Sequence, residues 1–208
     1  MFGTQHLALF IASGLLLNIA PGPDMLYILG RTASQGWRSG CVAALGIGAG
    51  CFVHIAAAGL GLTALLAASA TAFTVLKWLG GAYLIWMGIT LLRARNEAAP
   101  VTTPQLPQTL RSVFGQGFLT NALNPKVALF FLALLPQFID PNAQHKALAF
   151  VFLGIVFTIN GTLWNLLVAG TAAWVARSVR QSQVIAMWLN RTIGAVFVYL
   201  GVRLAATQ

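Results

Sequence analysis

The chain has 208 residues, of which 58% are hydrophobic and 7% are charged, and its formal net charge is +9. Soluble domains carry roughly 25% charged residues, so this chain could not cover a water-exposed surface. Its basic residues are sparse and separated by apolar runs, which suits anionic lipid headgroups and excludes the clustered Lys and Arg of a nucleic-acid interface. The composition predicts an integral membrane protein surrounded by lipid.

Six apolar runs have the length of roughly 20 residues that is needed to cross a bilayer. They are Leu7–Leu29, Cys41–Leu66, Phe73–Leu92, Val113–Leu135, Ala147–Val175 and Trp188–Ala205. The second and third runs belong to one charge-free stretch, in which we expect a turn at Ala67–Ala72. The segment Arg93–Arg111 is polar and rich in proline, as is typical of a linker.

The two halves of the chain resemble each other. The segments Gly81–Ile89 and Gly194–Val202 align without a gap, and each has an aromatic residue at the sixth position and a second glycine at the eighth. The first and fourth runs share a Gly-x-x-x-Asn pattern that ends at Asn18 and Asn121. Because three helices per copy is an odd number, the second copy must enter the membrane from the opposite face.

These observations predict an all-α membrane protein with six transmembrane helices, arranged as 3+3 inverted repeats. The first repeat covers residues 1–92 and the second covers residues 113–208. A cytoplasmic linker at residues 93–112 joins them.

Proline and polar residues interrupt the first and fourth runs. The residues concerned are Asn18, Pro21, Gly22, Pro23 and Asp24 in the first run, and Asn121, Asn124, Pro125 and Lys126 in the fourth. Because proline disturbs a helix and broken backbone persists in lipid only inside protein or beside a cavity, we expect helices 1 and 4 to be broken near the midplane. Matching interruptions in two halves point to a transport site, so these nine residues are predicted to bind substrate or couple transport to an ion.

Asp24 and Lys126 are the acid and the base expected deepest in the protein. A lone charge at the bilayer centre costs on the order of 3 kcal/mol, so we expect the two charges to face each other or a wet cavity. Nothing local explains Lys126, since a positive charge is unfavourable at the start of a helix. The alternative for Lys126 is a side chain that reaches the cytoplasmic interface.

Other polar and aromatic residues in the runs are secondary candidates. His54 is either a packing residue or a proton relay, and Asn160 is either a link between helices or a ligand contact. Tyr27, Phe130 and Trp164 are candidates for the walls of a substrate pocket.

Basic residues concentrate on one predicted side of the membrane, which the positive-inside rule assigns to the cytoplasm. That side carries Arg31, Arg38, Arg93, Arg95, Arg111, Arg177, Arg180 and Arg191, and the other carries Lys77, Lys146 and Arg203. Both termini are therefore predicted to lie outside the cytoplasm.

The proline blocks of the first and fourth runs together resemble the lysine exporter (LysE/RhtB) family of bacterial amino-acid efflux proteins, and Gly81–Gly88, with Tyr83 and Trp86, is similar as well. The resemblance implies a multi-pass protein of the bacterial cytoplasmic (inner) membrane, not an enzyme, with no cofactor and no metal site. It implies proton-driven export of a small amino acid or derivative, such as threonine, homoserine, homoserine lactone or lysine. The oligomeric state stays open, a homodimer included.

The favoured mechanism is alternating access of the two halves around the broken helices. Asp24 would bind the substrate ammonium group or a proton, and Lys126 and helix N-termini would attract the carboxylate.

Two alternatives are a divalent metal ion exporter and a membrane thiol-redox carrier. The first needs several oxygen ligands, but Asp24 is the only acid expected deep in a run. The second needs a cysteine in each half, but Cys41 and Cys51 both belong to the first half.

Overall fold

The computed structural model of the protein describes residues 3–59, 70–93, 107–140, 142–181 and 183–206. The described residues form eight α-helices: α1 Leu7–Ile19, α2 Pro23–Gln35, α3 Trp37–Ala57, α4 Ala70–Arg93, α5 Leu110–Ala122, α6 Pro125–Leu129, α7 Lys146–Gln181 and α8 Gln183–Ala206. A π-helical turn at Phe130–Leu134 and a 3-10 helix at Leu135–Phe138 follow α6. An isolated bridge between Thr4 and Ile139 ties the N-terminal end to the residue after that 3-10 helix.

The first and fourth predicted runs are both broken. Helices α1 and α2 meet at a bend of 53°, and α5 meets Pro125–Phe138 at a bend of 44°. The prediction of a break at each proline block is therefore confirmed. The first broken span continues to Gln35, whereas the sequence predicted an end at Leu29. The added residues include Arg31, which is buried within the protein.

In their described residues, the other runs each contain a single helix. Within the described residues, Trp37–Ala57 and Lys146–Ala172 are long and apolar enough to cross a membrane, and each bent pair can provide one further span. Helices α4 and α8 cover the third and sixth predicted runs. Helix α4 begins at Ala70, so the last three residues of the turn expected at Ala67–Ala72 are helical instead. The rest of that turn lies outside the described residues, as do residues 60–66 and 94–106.

Two apolar cores flank the breaks. The larger core contains a cluster of five phenylalanines in ring contact, in which the ring centroids of Phe130 and Phe157 are 4.8 Å apart. The smaller core is built around Ile28, Ile47 and Val113. Along the first broken span, the residues before the break belong to the larger core and Ile28 after it belongs to the smaller one. The order is reversed along the second span, so each break lies where the chain passes from one core to the other.

Glycines let the helices approach closely. A Cβ added to Gly81 would lie 3.1 Å from the carbonyl oxygen of Gly201, and one added to Gly88 would lie 2.6 Å from that of Gly194. Helices α4 and α8 are therefore in backbone contact. In the same way, Gly46 of α3 lies against the backbone of α5.

Large apolar side chains cover much of the outer surface. Phe52 is 55% exposed, Ile159 is 56% exposed and Leu163 is 64% exposed. A surface of this kind is unfavourable in water and is the normal surface of a helix that faces lipid.

Candidate functional site

The first break exposes the carbonyl end of α1. The helix ends at Ile19, and Gly22 has extended backbone before Pro23 opens α2. The carbonyl oxygens of Leu17 and Ala20 accept hydrogen bonds from the Lys126 ammonium group, at 2.8 and 3.0 Å. A cation at this position satisfies carbonyl groups that have no partner within the helix and interacts favourably with the helix dipole.

The second break supplies that ammonium group. Asn124 caps α6, since its side-chain oxygen accepts a hydrogen bond from the Lys126 amide at 3.0 Å, and Pro125 occupies the first helical position. Lys126 is 9% exposed, so its side chain lies within the protein. The sequence offered no local reason for this cation, and the structure supplies one in the carbonyl end of α1.

A chain of hydrogen bonds links three helices at the breaks. The Asn121 side-chain amide of α5 donates to the carboxylate of Asp24 at 2.8 Å. The Asn121 backbone oxygen is 2.8 Å from Nε2 of His54 in α3, whose ring stacks on Phe131 at 5.8 Å. His54 is buried, so the geometry gives it the role of holding Asn121 against Asp24.

Asp24 and Lys126 were expected to face each other or a wet cavity. Each has a protein partner: Asp24 accepts from Asn121, and Lys126 donates to the backbone of α1. The two charges are also close enough to attract each other electrostatically. In both hydrogen-bonded contacts, a residue beside the second break binds the first broken span. These contacts hold the two breaks together.

Three buried polar atoms at the breaks have no hydrogen-bond partner in the protein. They are Oδ1 of Asp24, Oδ1 of Asn121 and Nδ2 of Asn124. An unsatisfied buried polar group costs about 1–3 kcal/mol, so such a cluster calls for an explanation. The Asn124 side chain lies within reach of the Asp24 carboxylate. The two acceptors and one donor could together receive a ligand that brings both kinds of group, as the ammonium and carboxylate of an amino acid do.

An open cavity of about 570 Å³ adjoins both breaks. Its described lining consists of Pro23, Tyr27, Arg31, Gln116, Leu119, Thr120, Leu123, Asn124 and Pro125. Tyr27 therefore lies where the sequence predicted a pocket wall. Phe130 and Trp164 instead pack in or against the two apolar cores.

Arg31 and Gln116 were missed as site residues. Arg31 was assigned to the membrane surface, but it is 3% exposed, its guanidinium donates to the Gln116 side chain at 2.9 Å, and it lies over the Tyr27 ring. The expectation that Asp24 and Lys126 are the only deep charges was therefore wrong. The signal was present in the sequence, since Asp24, Tyr27 and Arg31 are spaced by three and seven residues and so share one face of a helix.

Two other candidates lie at the contact between α1 and α7. The Asn18 amide donates to Gly14 within its own helix, at 2.8 Å, and its side chain lies against Gly161. The Asn160 amide donates to the Ile11 carbonyl at 3.2 Å. The structure places both residues as links within and between helices, beside the break rather than at Asp24.

Comparisons with known proteins cover nearly the whole chain. A model of the LysE type translocator family matches residues 15–208. The chain is 32% identical over 200 residues to an uncharacterized membrane protein of Vibrio cholerae, with 96% of each chain covered. It is 32% identical over 203 residues to a homoserine/homoserine lactone efflux protein of Salmonella typhi, with 96% of this chain and 95% of that protein covered. No solved structure matches it significantly.

The resemblance predicted from the two proline blocks is thereby confirmed, and both blocks fall within the matched region. The apolar helices, the apolar outer surface and the membrane-protein relatives agree that the chain is a multi-pass integral membrane protein. The chain belongs to the LysE type translocator family.

Proposed function

We propose that this protein is a secondary transporter that exports a small amino acid or derivative, homoserine or homoserine lactone being the first candidates. The observation that carries the proposal is the junction of the two broken spans, where Asp24, Asn121 and Asn124 present buried polar atoms without protein partners. The name of the Salmonella typhi relative supports the substrate class. Family membership supports transport rather than catalysis.

The proposed architecture is six transmembrane helices in two inverted repeats, in the bacterial inner membrane with both termini outside the cytoplasm. The contact between α4 and α8 supports it. The sequence repeat equates Gly81 with Gly194 and Gly88 with Gly201, and exchange of these equivalents turns the contact of Gly81 with Gly201 into the contact of Gly194 with Gly88. Two copies related by a two-fold axis in the membrane plane would produce this pattern.

The proposed mechanism is alternating access coupled to proton entry. Asp24 would bind the ammonium group of the substrate on one side and a proton on the other, so that the two compete for one carboxylate. Asn121, held by His54, would orient that carboxylate. Lys126 would keep the two breaks together by binding the carbonyl end of α1.

The two alternative functions gain no comparable support. A site for a divalent cation is built from several oxygen ligands, and within the described residues no three His, Cys, Asp or Glu side chains come together. Both cysteines lie in α3 with free thiols. The second half of the chain therefore has no cysteine at the position equivalent to either of them.

Uptake into inside-out membrane vesicles tests the proposal. Vesicles from cells that overproduce the protein should accumulate radiolabelled homoserine or its lactone, and an imposed pH gradient, acid inside, should raise the initial rate severalfold. Vesicles without the protein are the control. Transport of no amino acid from a broad panel, or transport of a divalent metal ion instead, would show that the proposed function is wrong.

The orientation gives a separate prediction. Single cysteines at Gln105 and Gln208, in a variant without Cys41 and Cys51, should differ in reaction with an impermeant maleimide added to spheroplasts. The cysteine at Gln208 should be labelled, and that at Gln105 should be labelled only after lysis, because the arginine-rich side is proposed to face the cytoplasm. The reverse pattern would overturn the orientation without affecting the proposed substrate.

A further inference from the structure

We propose that two layers form a gate, which closes the substrate pathway on the side of the breaks away from the cavity. The first layer is the N-terminal segment Gly3–Gln5, called the strap. The second is the phenylalanine cluster, which consists of Phe10, Phe130, Phe131, Phe138 and Phe157. This inference rests on the proposed export function, and it names the part of the protein that has to open for substrate to leave.

The two sides of the breaks differ in how they are packed. On one side, α2 and α5 line the open cavity of about 570 Å³. On the other side, α1 and the segment after Pro125 meet through the phenylalanine cluster, whose members are each at most 5% exposed. The described lining of the cavity includes none of these five residues. Under the proposed orientation, this state is open to the cytoplasm, from which an exporter takes its substrate.

The phenylalanine cluster joins the two broken spans directly. The ring centroid of Phe10 in α1 lies 5.9 Å from that of Phe130 and 5.2 Å from that of Phe138. Phe157 of α7 stacks on Phe130 at 4.8 Å and meets the edge of Phe131 at 5.3 Å. A closed layer of rings offers no hydrogen bond to a charged amino acid, and an unpaired charge is costly in such surroundings. Substrate therefore passes only when the rings separate.

The strap ties the start of the first broken span to the end of the second. The Gln5 amide donates to the Phe138 carbonyl group and the Asp140 amide donates to the Gly3 carbonyl group, both at 2.8 Å. The isolated bridge lies between these two bonds. Because these bonds belong to no helix, they can open locally while the helices stay folded. The strap thus holds the ends of the two spans together until it is released.

Two irregular backbone elements adjoin the gate and favour its opening. His6, which joins the strap to α1, has φ of 50°, in the left-handed region that residues with a side chain seldom adopt. The second element is the π-helical turn at Phe130–Leu134, where the Leu135 amide donates to the Phe130 carbonyl group five residues earlier. A π turn holds more residues than an α turn and often marks a functional site. Conversion to an α turn would rotate Phe138 away from Phe10.

A disulfide across the strap tests whether the gate has to open. Thr4 and Ile139 face each other between the two backbone hydrogen bonds, and such a pair has Cα atoms about 4.5 Å apart, which a disulfide can span. Thr4→Cys with Ile139→Cys, in a variant without Cys41 and Cys51, should crosslink on oxidation with copper phenanthroline. Uptake of homoserine or its lactone into inside-out vesicles should fall in proportion to the crosslinked fraction and return with dithiothreitol. Each single variant, treated in the same way, should keep its rate.

Hydrogen exchange measures the opening of the gate without any substrate. In detergent, the amides of Phe130–Leu134 should exchange severalfold more slowly in the oxidised double variant than in the reduced one, because local opening exposes them. Gly3→Ala should speed their exchange, since Gly3 has φ of 73° and an added Cβ would lie 2.5 Å from the Cβ of Ala143. Exchange in the contact between α4 and α8 is the control and should not change.

The outcomes separate the gate from the export function. If wild-type vesicles take up substrate and the crosslinked protein does so at the same rate, the gate is wrong and the export function stands. If wild-type vesicles transport no amino acid, while crosslinking slows exchange at Phe130–Leu134 and Gly3→Ala speeds it, the gate stands and the export function is wrong. Failure of the double variant to crosslink, or exchange that neither change affects, would overturn the gate in either case.

Discussion

Replacing Asp24 by asparagine should abolish export of both homoserine and its lactone while the protein still inserts and folds. Asparagine has nearly the same shape, and its side-chain oxygen can still accept the hydrogen bond from Asn121. The lost charge is the proposed partner of the substrate ammonium group, and removing one partner of a buried charge pair commonly costs about 2–5 kcal/mol. We expect the initial rate in vesicles to fall at least about a hundredfold and any residual flux to lose its dependence on a pH gradient.

The control for this variant is Asp140→Asn. Asp140 follows the 3-10 helix, where its carboxylate accepts from the Asn142 amide, away from both breaks. That variant should transport at a rate close to the wild type. Export that survives in Asp24→Asn, with its proton dependence intact, would remove Asp24 from the mechanism.

Replacing Lys126 by methionine should impair both stability and export. Methionine fills a similar space but cannot donate to the Leu17 and Ala20 carbonyl oxygens, which would remain buried without this partner. Each such group costs about 1–3 kcal/mol, so the free energy of unfolding should fall by about 2–6 kcal/mol. Thermal unfolding in detergent measures the loss of stability, and vesicle uptake measures the loss of export.

Two further variants test whether the loss of stability comes from the Lys126 contacts at the break or from the removal of a positive charge in general. Lys146→Met removes a cation from the start of α7, where a positive charge is unfavourable, and should leave stability unchanged or slightly raised. Gly22→Ala would place a Cβ 3.0 Å from the Lys126 ammonium nitrogen. Because Gly22 has extended backbone that any residue adopts, its effect should come from displacement of the ammonium group and should resemble a weaker Lys126→Met. A fully stable Lys126→Met would contradict this role.

The sequence predicted the breaks because proline acts locally. Pro21, Pro23 and Pro125 lack amide donors wherever they occur, so their effect on a helix does not depend on tertiary contacts. Such features could be located within a few residues from the chain alone.

The partners of the charged residues could not be predicted in this way. Lys126 binds carbonyl groups more than 100 positions earlier in the chain, and no local pattern shows which helix end a distant cation will meet. Arg31 is buried in contact with Gln116, 85 positions away. The helix that carries it ends at Gln35, beyond the predicted end of the run at Leu29. The positive-inside rule counts basic residues without regard to such contacts.

Helices α4 and α8 meet through a surface that is its own complement. The contact of Gly81 with Gly201 and the contact of Gly88 with Gly194 exchange places when the two helices are interchanged, as they would in a symmetric homodimer. A helix that carries two glycines seven residues apart can therefore pack against an inverted copy of itself, because each glycine of one copy then meets a glycine of the other. Two copies of such a helix joined in one chain would need no further interface, and an insertion between the two glycines of either helix would let only one of the two contacts keep its register.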